Sequence, residues 1–61
     1  MDQVIKSLFK ARKFVDLESY CLRKIEDGQQ DLQIKYALGL SYYGQKKFEL
    51  SHSIFSEILS K

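Results

Sequence analysis

The residues best suited to chemistry cluster near the end of the chain. Glu49, His52, Ser53 and Ser56 fall within about two helical turns. Glu49 and His52 stand at i, i+3, and His52 and Ser56 at i, i+4, so all three share a helix face. An acid, an imidazole and a hydroxyl in reach of one another suggest nucleophilic catalysis. That chemistry also needs an oxyanion hole and a nucleophile raised on a glycine elbow, and the segment supplies neither. The cluster reads as a solvated helix face and the chain as non-catalytic.

The other reactive types are sparse. Cys21 and His52 are the only soft ligands, so no zinc spacing exists and no disulfide can form. Cys21 falls on a core position and reads as a small buried apolar residue. Gly28, Gly39 and Gly44 are scattered and make no phosphate-cradling loop, and no cofactor is expected. Two basic stretches, "KARK" at 10–13 and "QKK" at 45–47, could form a phosphate-binding edge. A few lysines give only weak, salt-sensitive affinity.

Sixty-one residues allow one small domain, and a chain this short buries only about 60% of its unfolded surface. Ten basic and eight acidic side chains are mixed along it, for a formal net charge of +2. That balance announces neither nucleic acid nor an anionic membrane. No apolar run approaches the ~20 residues that span a bilayer. The first residues lack a signal-peptide core, and Asp2 and Asp16 argue against a presequence. With a single unpaired thiol, the expectation is an intracellular protein, cytoplasmic or nuclear, with no membrane partner.

The elements that position these residues are helical. Proline, asparagine, threonine and tryptophan are absent, and apolar residues recur at helical spacing. Val4, Ile5, Leu8 and Phe9 predict a first helix over about 2–10. Phe14, Leu17, Tyr20, Cys21 and Ile25 predict a second. "EDGQQD" at 26–31 is a break in which Gly28 suits a left-handed C-terminal position and Asp31 an N-cap. Ile34, Leu38 and Tyr42 predict a third helix ended by Gly44. Phe48, Ser51, Ile54, Phe55, Ile58 and Leu59 predict a fourth.

Sliding the chain on itself by 34 residues aligns "RKF" (12–14) with "KKF" (46–48). The same shift places Val4 on Leu38, Leu8 on Tyr42, Ser19 on Ser53, Tyr20 on Ile54 and Cys21 on Phe55. Identities are few, but helices, turns and apolar positions agree along the overlap. A 34-residue helix–turn–helix period points to a tandem helical repeat.

In its second half the chain resembles the tetratricopeptide repeat (TPR) family. Leu38-Gly39-x-x-Tyr42, then Phe48, the small Ser51 and the aromatic Phe55, follow the family pattern, while Lys35 replaces a frequent tryptophan and the closing proline is missing. The resemblance implies an all-α fold of two antiparallel helix hairpins stacked as a short right-handed solenoid. It implies repeat one at about 1–28 and repeat two at about 31–61, in one unit over 1–61. It also implies that Gly39 faces Ser51, so that two helices come close. The matching residues in the first repeat, Ile5 and Leu17, are both large. Helices one and two should therefore sit farther apart than three and four, with Phe14 and Phe48 in like environments.

The family's role implies a protein–protein interaction scaffold with a groove lined by the first helix of each repeat. Carried over, that groove comprises Gln33, Tyr36, Leu40 and Tyr43, with Asp2, Lys6, Phe9 and Lys10 added by the first helix. The carboxylate clamp that some members use on heat-shock chaperones depends on asparagines, which this chain lacks. Phe55, Ile58 and Leu59 on the last helix await a cover, which implies a longer array or a homo-oligomer. The chain also loosely resembles the N-terminal repeats of anaphase-promoting complex scaffold subunits, which implies homodimerisation and a cell-cycle complex. The alternative is a nucleic-acid-associated adaptor using the turns at 10–13 and 45–47.

Overall fold

A computed structural model describes residues 3–29 and 31–60. Four helices follow one another: α1 (Gln3–Lys10), α2 (Phe14–Glu26), α3 (Leu32–Gly44) and α4 (Phe48–Leu59). They form two antiparallel helix hairpins, stacked so that α3 packs against both α2 and α4. Among the described residues there is no strand. Asp2, expected to extend the groove, lies outside the described residues.

The core is small and sits between the hairpins. Ile5, Leu17, Cys21, Ile34, Ala37 and Leu38 are buried, with Leu8, Tyr20, Ile25, Tyr42 and Ile54 packed around them. Each fully buried aliphatic side chain contributes roughly 1.5–3 kcal/mol, so a handful of contacts carries the fold. Ser41 and Ser51 are also buried, and both are satisfied. Ser41 Oγ donates to Leu38 O at 2.6 Å. Ser51 Oγ donates to Gly39 O at 3.0 Å, which ties α4 to the backbone of α3.

Gly39 does face Ser51, but a different neighbour excludes its side chain. A Cβ there would lie 2.7 Å from Cε1 and 2.8 Å from Cζ of Phe55. The Phe55 ring covers the glycine and meets Tyr36 at a centroid distance of 5.6 Å. In the first hairpin the equivalent positions hold Ile5 and Leu17, both buried. Two aliphatic chains fill that crossing, where the second hairpin has a hydroxyl–carbonyl bond.

Three helices end in the same way. The chain closes with a 6→1 and a 5→2 backbone hydrogen bond around one left-handed residue. After α2 that residue is Gly28, at φ 89°, as the sequence predicts. After α1 it is Arg12 at φ 59°, and after α3 it is Lys46 at φ 63°. Lys13 N–H donates to Leu8 O at 2.9 Å, and Lys47 N–H donates to Tyr42 O at 2.8 Å. A residue with a Cβ costs about 1 kcal/mol or more in this conformation, so nothing in these two residue types announces it. Helix α3 does end at Gly44, yet the left-handed turn falls two residues later. Asp31 caps α3 as expected, its carboxylate accepting from Ile34 N–H at 2.9 Å.

Gly44 serves as a seat. A Cβ there would lie 2.5 Å from Cγ, Cδ1 and Cδ2 of Phe14, so the ring of α2 lies directly over the end of α3. Beside it, Glu18 accepts from Gln45 Nε2 at 2.7 Å and pairs with Lys47 Nζ at 3.4 Å. These contacts clip the first hairpin to the turn of the second. Lys35 pairs with Glu57 at 3.0 Å across α3 and α4.

A groove between the two helix turns

Two aromatic pairs stand 34 residues apart. Phe9 and Phe14 meet edge to face at 6.0 Å and 71°, and Tyr43 and Phe48 meet at 5.4 Å and 69°. Each pair joins the last turn of one helix to the first residue of the next, across the left-handed turn. The spacing i, i+5 reaches across only because that turn reverses the chain within three residues. Such pairs contribute about 0.5–1.5 kcal/mol beyond their buried area.

Phe14 and Phe48 thus share a local partner but not a degree of burial. Phe14 is half-buried because Gly44 of the second hairpin lies against it, whereas Phe48 is 55% exposed. The expectation of like environments is met across the turn and fails on the outer side, where no described residue plays the part of Gly44.

The pairs wall a groove of about 680 Å³ with Leu40 and Gly44 between them. Lys10, Arg12 and Lys46 also line it, and no carboxylate does. None of these three cations is in an ion pair among the described residues. Glu49 stands nearby, in an adjoining hollow with Lys46 and Lys47. A narrower cavity of about 290 Å³ continues inward along Phe9, Tyr36, Ala37 and Leu40 to Ile5 and Leu17. Phe9 and Leu40 line both hollows.

Of the residues expected in the groove, Phe9, Lys10, Leu40 and Tyr43 come together in the larger hollow. Tyr36 lines the inner one. Lys6 lies on a neighbouring face of α1 with Gln3, Ser7 and Lys10. Gln33 is exposed and lines neither hollow. Sequence reasoning missed Phe14 and Phe48 as lining residues, while Arg12 and Lys46 fall in the basic turns at 10–13 and 45–47 that form the alternative site. The signal lies in "RKF" and "KKF", each of which sets an aromatic residue directly after a basic turn.

Other candidate chemistry is dispersed. Ser56 Oγ and His52 Nε2 lie 3.4 Å apart on the exposed face of α4. Cys21 is fully buried. Among the described residues no three His, Cys, Asp or Glu side chains converge as a metal site, and no helix is long and apolar enough to cross a membrane. Among the described residues, the Tyr42 phenol has a raised pKa. Burial raises it from its ordinary value near 10, helped by the charges of Glu18 and Cys21.

No family model, curated protein or solved structure matches the chain.

Proposed function

We propose that this chain is a non-catalytic, TPR-like protein–protein interaction module that binds its partner between α1 and α3. The observation that carries the reading is the groove built at the junction of two hairpins whose turns have matching geometry. Three of its four rings are exposed on the open side: Phe9 is 44%, Tyr43 61% and Phe48 55% accessible. A small domain that leaves so much aromatic surface open beside its core has prepared an anchor site. Lys10 and Leu40 line the same groove and Tyr36 its inner part, and Lys6 and Gln33 belong to the proposed surface only through the family resemblance. The partner is a subunit of a larger complex or a further copy of the chain. Self-association is the case implied by the resemblance to anaphase-promoting complex scaffold repeats.

A second reading, a nucleic-acid-associated adaptor, is favoured by one observation. Lys10, Arg12 and Lys46, drawn from both basic turns, share one rim.

Site-specific photocrosslinking separates the two. Benzoylphenylalanine replacing Tyr43, in the cells from which the chain comes, should yield discrete protein adducts, and the same group replacing Glu26 should not. Adducts to nucleic acid alone favour the second reading. No adduct at position 43 contradicts the first.

A further inference from the structure

The fold sorts the charges that the sequence mixes. Over the whole chain ten basic side chains nearly balance eight acidic ones. Around the larger groove the count is three cations, Lys10, Arg12 and Lys46, and no carboxylate. The nearby acids are engaged elsewhere or face another hollow: Glu18 is held by Gln45 and Lys47, and Glu49 lies beside Lys46 on the far side of Phe48. The helices that start at this rim add to the field. Neither α2 nor α4 has a side-chain N-cap, so backbone N–H groups are left open at the rim, although Asp16 and Glu49 in the first turns offset part of their field.

We infer that the groove takes a short acidic segment of another protein, with an aromatic or branched aliphatic side chain seated between the Phe9–Phe14 and Tyr43–Phe48 pairs and its carboxylates on Lys10, Arg12 and Lys46. This rests on the protein-binding reading and gives the partner its chemistry. The volume of about 680 Å³ suits a few side chains. The ring geometry favours a peptide over single-stranded nucleic acid. Base binding uses open ring faces in series, whereas each ring here is turned edge to face against its neighbour. The two parts of the site have different duties. The apolar seat sets residence time, and the exposed cations set partner choice and association rate.

The test is fluorescence anisotropy with labelled synthetic peptides and the intact chain. The probe carries one phenylalanine and one leucine between runs of aspartate and glutamate. One control replaces the acids by lysine, another replaces the two anchors by alanine, and a third is a single-stranded oligonucleotide. The expected result is saturable binding of the probe alone, weakened by salt. Binding should weaken about tenfold in Lys46→Glu and in Arg12→Glu, with helical circular dichroism unchanged. Equal binding of the lysine peptide or of the anchor-free peptide overturns the inference, as does binding of the oligonucleotide alone. Sedimentation covers the remaining occupant. If the chain associates with itself, if Leu40→Lys dissociates it, and if the probe does not compete, a second copy holds the groove and the inference falls. Protein crosslinks from position 43 without peptide binding sink this inference and leave the wider reading standing; absence of both sinks the two together.

Discussion

Arg12 and Lys46, 34 positions apart, hold the same uncommon backbone conformation, with φ of 59° and 63°. The residues that follow them match as closely: Lys13 has φ −89° and ψ 69°, and Lys47 has φ −89° and ψ 67°. A left-handed residue with a Cβ is uncommon in any chain, so its recurrence at the repeat period is specific. The two halves therefore share one way of turning from the first helix to the second. That turn brings an aromatic pair and a cation to the rim each time.

The shared turn leads to a paired prediction. Arg12→Gly and Lys46→Gly each relieve left-handed strain, offset in part by the entropy of a freer unfolded chain. Each should stabilise by about 0.5–1 kcal/mol, and by similar amounts. Thermal melts of the two variants check this. A gain at one site with a loss at the other would mean the turns are not equivalent.

Gly39→Leu should abolish cooperative melting, because the added side chain drives into the Phe55 ring and overpacking costs about 1–3 kcal/mol even for smaller insertions. Gly39→Ala is the gentler form of the test. Its destabilisation should be largely relieved in the Phe55→Leu background, a coupling that a double-mutant cycle reads directly. If Gly39→Leu melts like the parent chain, the glycine has another purpose.

Gly44→Ala sets two effects against each other. Alanine favours a helix by about 1 kcal/mol over glycine. The Cβ, however, would meet the root of the Phe14 ring, where the side chain has little room to swing aside. Overpacking of about 1–3 kcal/mol wins, so the variant should be less stable by chemical denaturation. Improved stability would place Phe14 elsewhere.

Tyr42 gives a pH dependence with a definite sign. Its folded pKa is raised above the ordinary value near 10, chiefly by burial and further by Glu18 and Cys21. The neutral phenol is thus the form the fold prefers. Its contribution is complete below the unfolded value and lost as pH climbs from about 10 through the folded one. Denaturation of Tyr42→Phe should show a shallower alkaline loss than the parent. Equal slopes would contradict the shift.

Much of this was legible beforehand, for identifiable reasons. Spacing of Leu17, Cys21, Ile34 and Leu38 located the helices, Gly28 and Asp31 marked the break, and Phe9, Tyr36, Leu40 and Tyr43 marked the groove side. The seat between hairpins was not legible. Helix α3 packs on both α2 and α4, so its buried set includes Ala37, Gly39 and Ser41, small residues that leave no apolar stripe. Gly44 looked like a helix stop because its contact, the Phe14 ring, lies 30 residues earlier. The two basic turns are legible as one edge from the 34-residue period, but their meeting with the aromatic pairs is not, since only the hairpin stacking brings Arg12 and Lys46 to the groove walled by those rings.

Phe14 over Gly44 seats the second hairpin on the first, which is what sets the two aromatic pairs around one groove. Proton NMR of the chain measures this directly. The Gly44 α-protons should be shifted upfield by the ring face and show Overhauser contacts to the Phe14 ring, while the Gly28 α-protons show neither. Ordinary Gly44 shifts with no contact to Phe14 would contradict it.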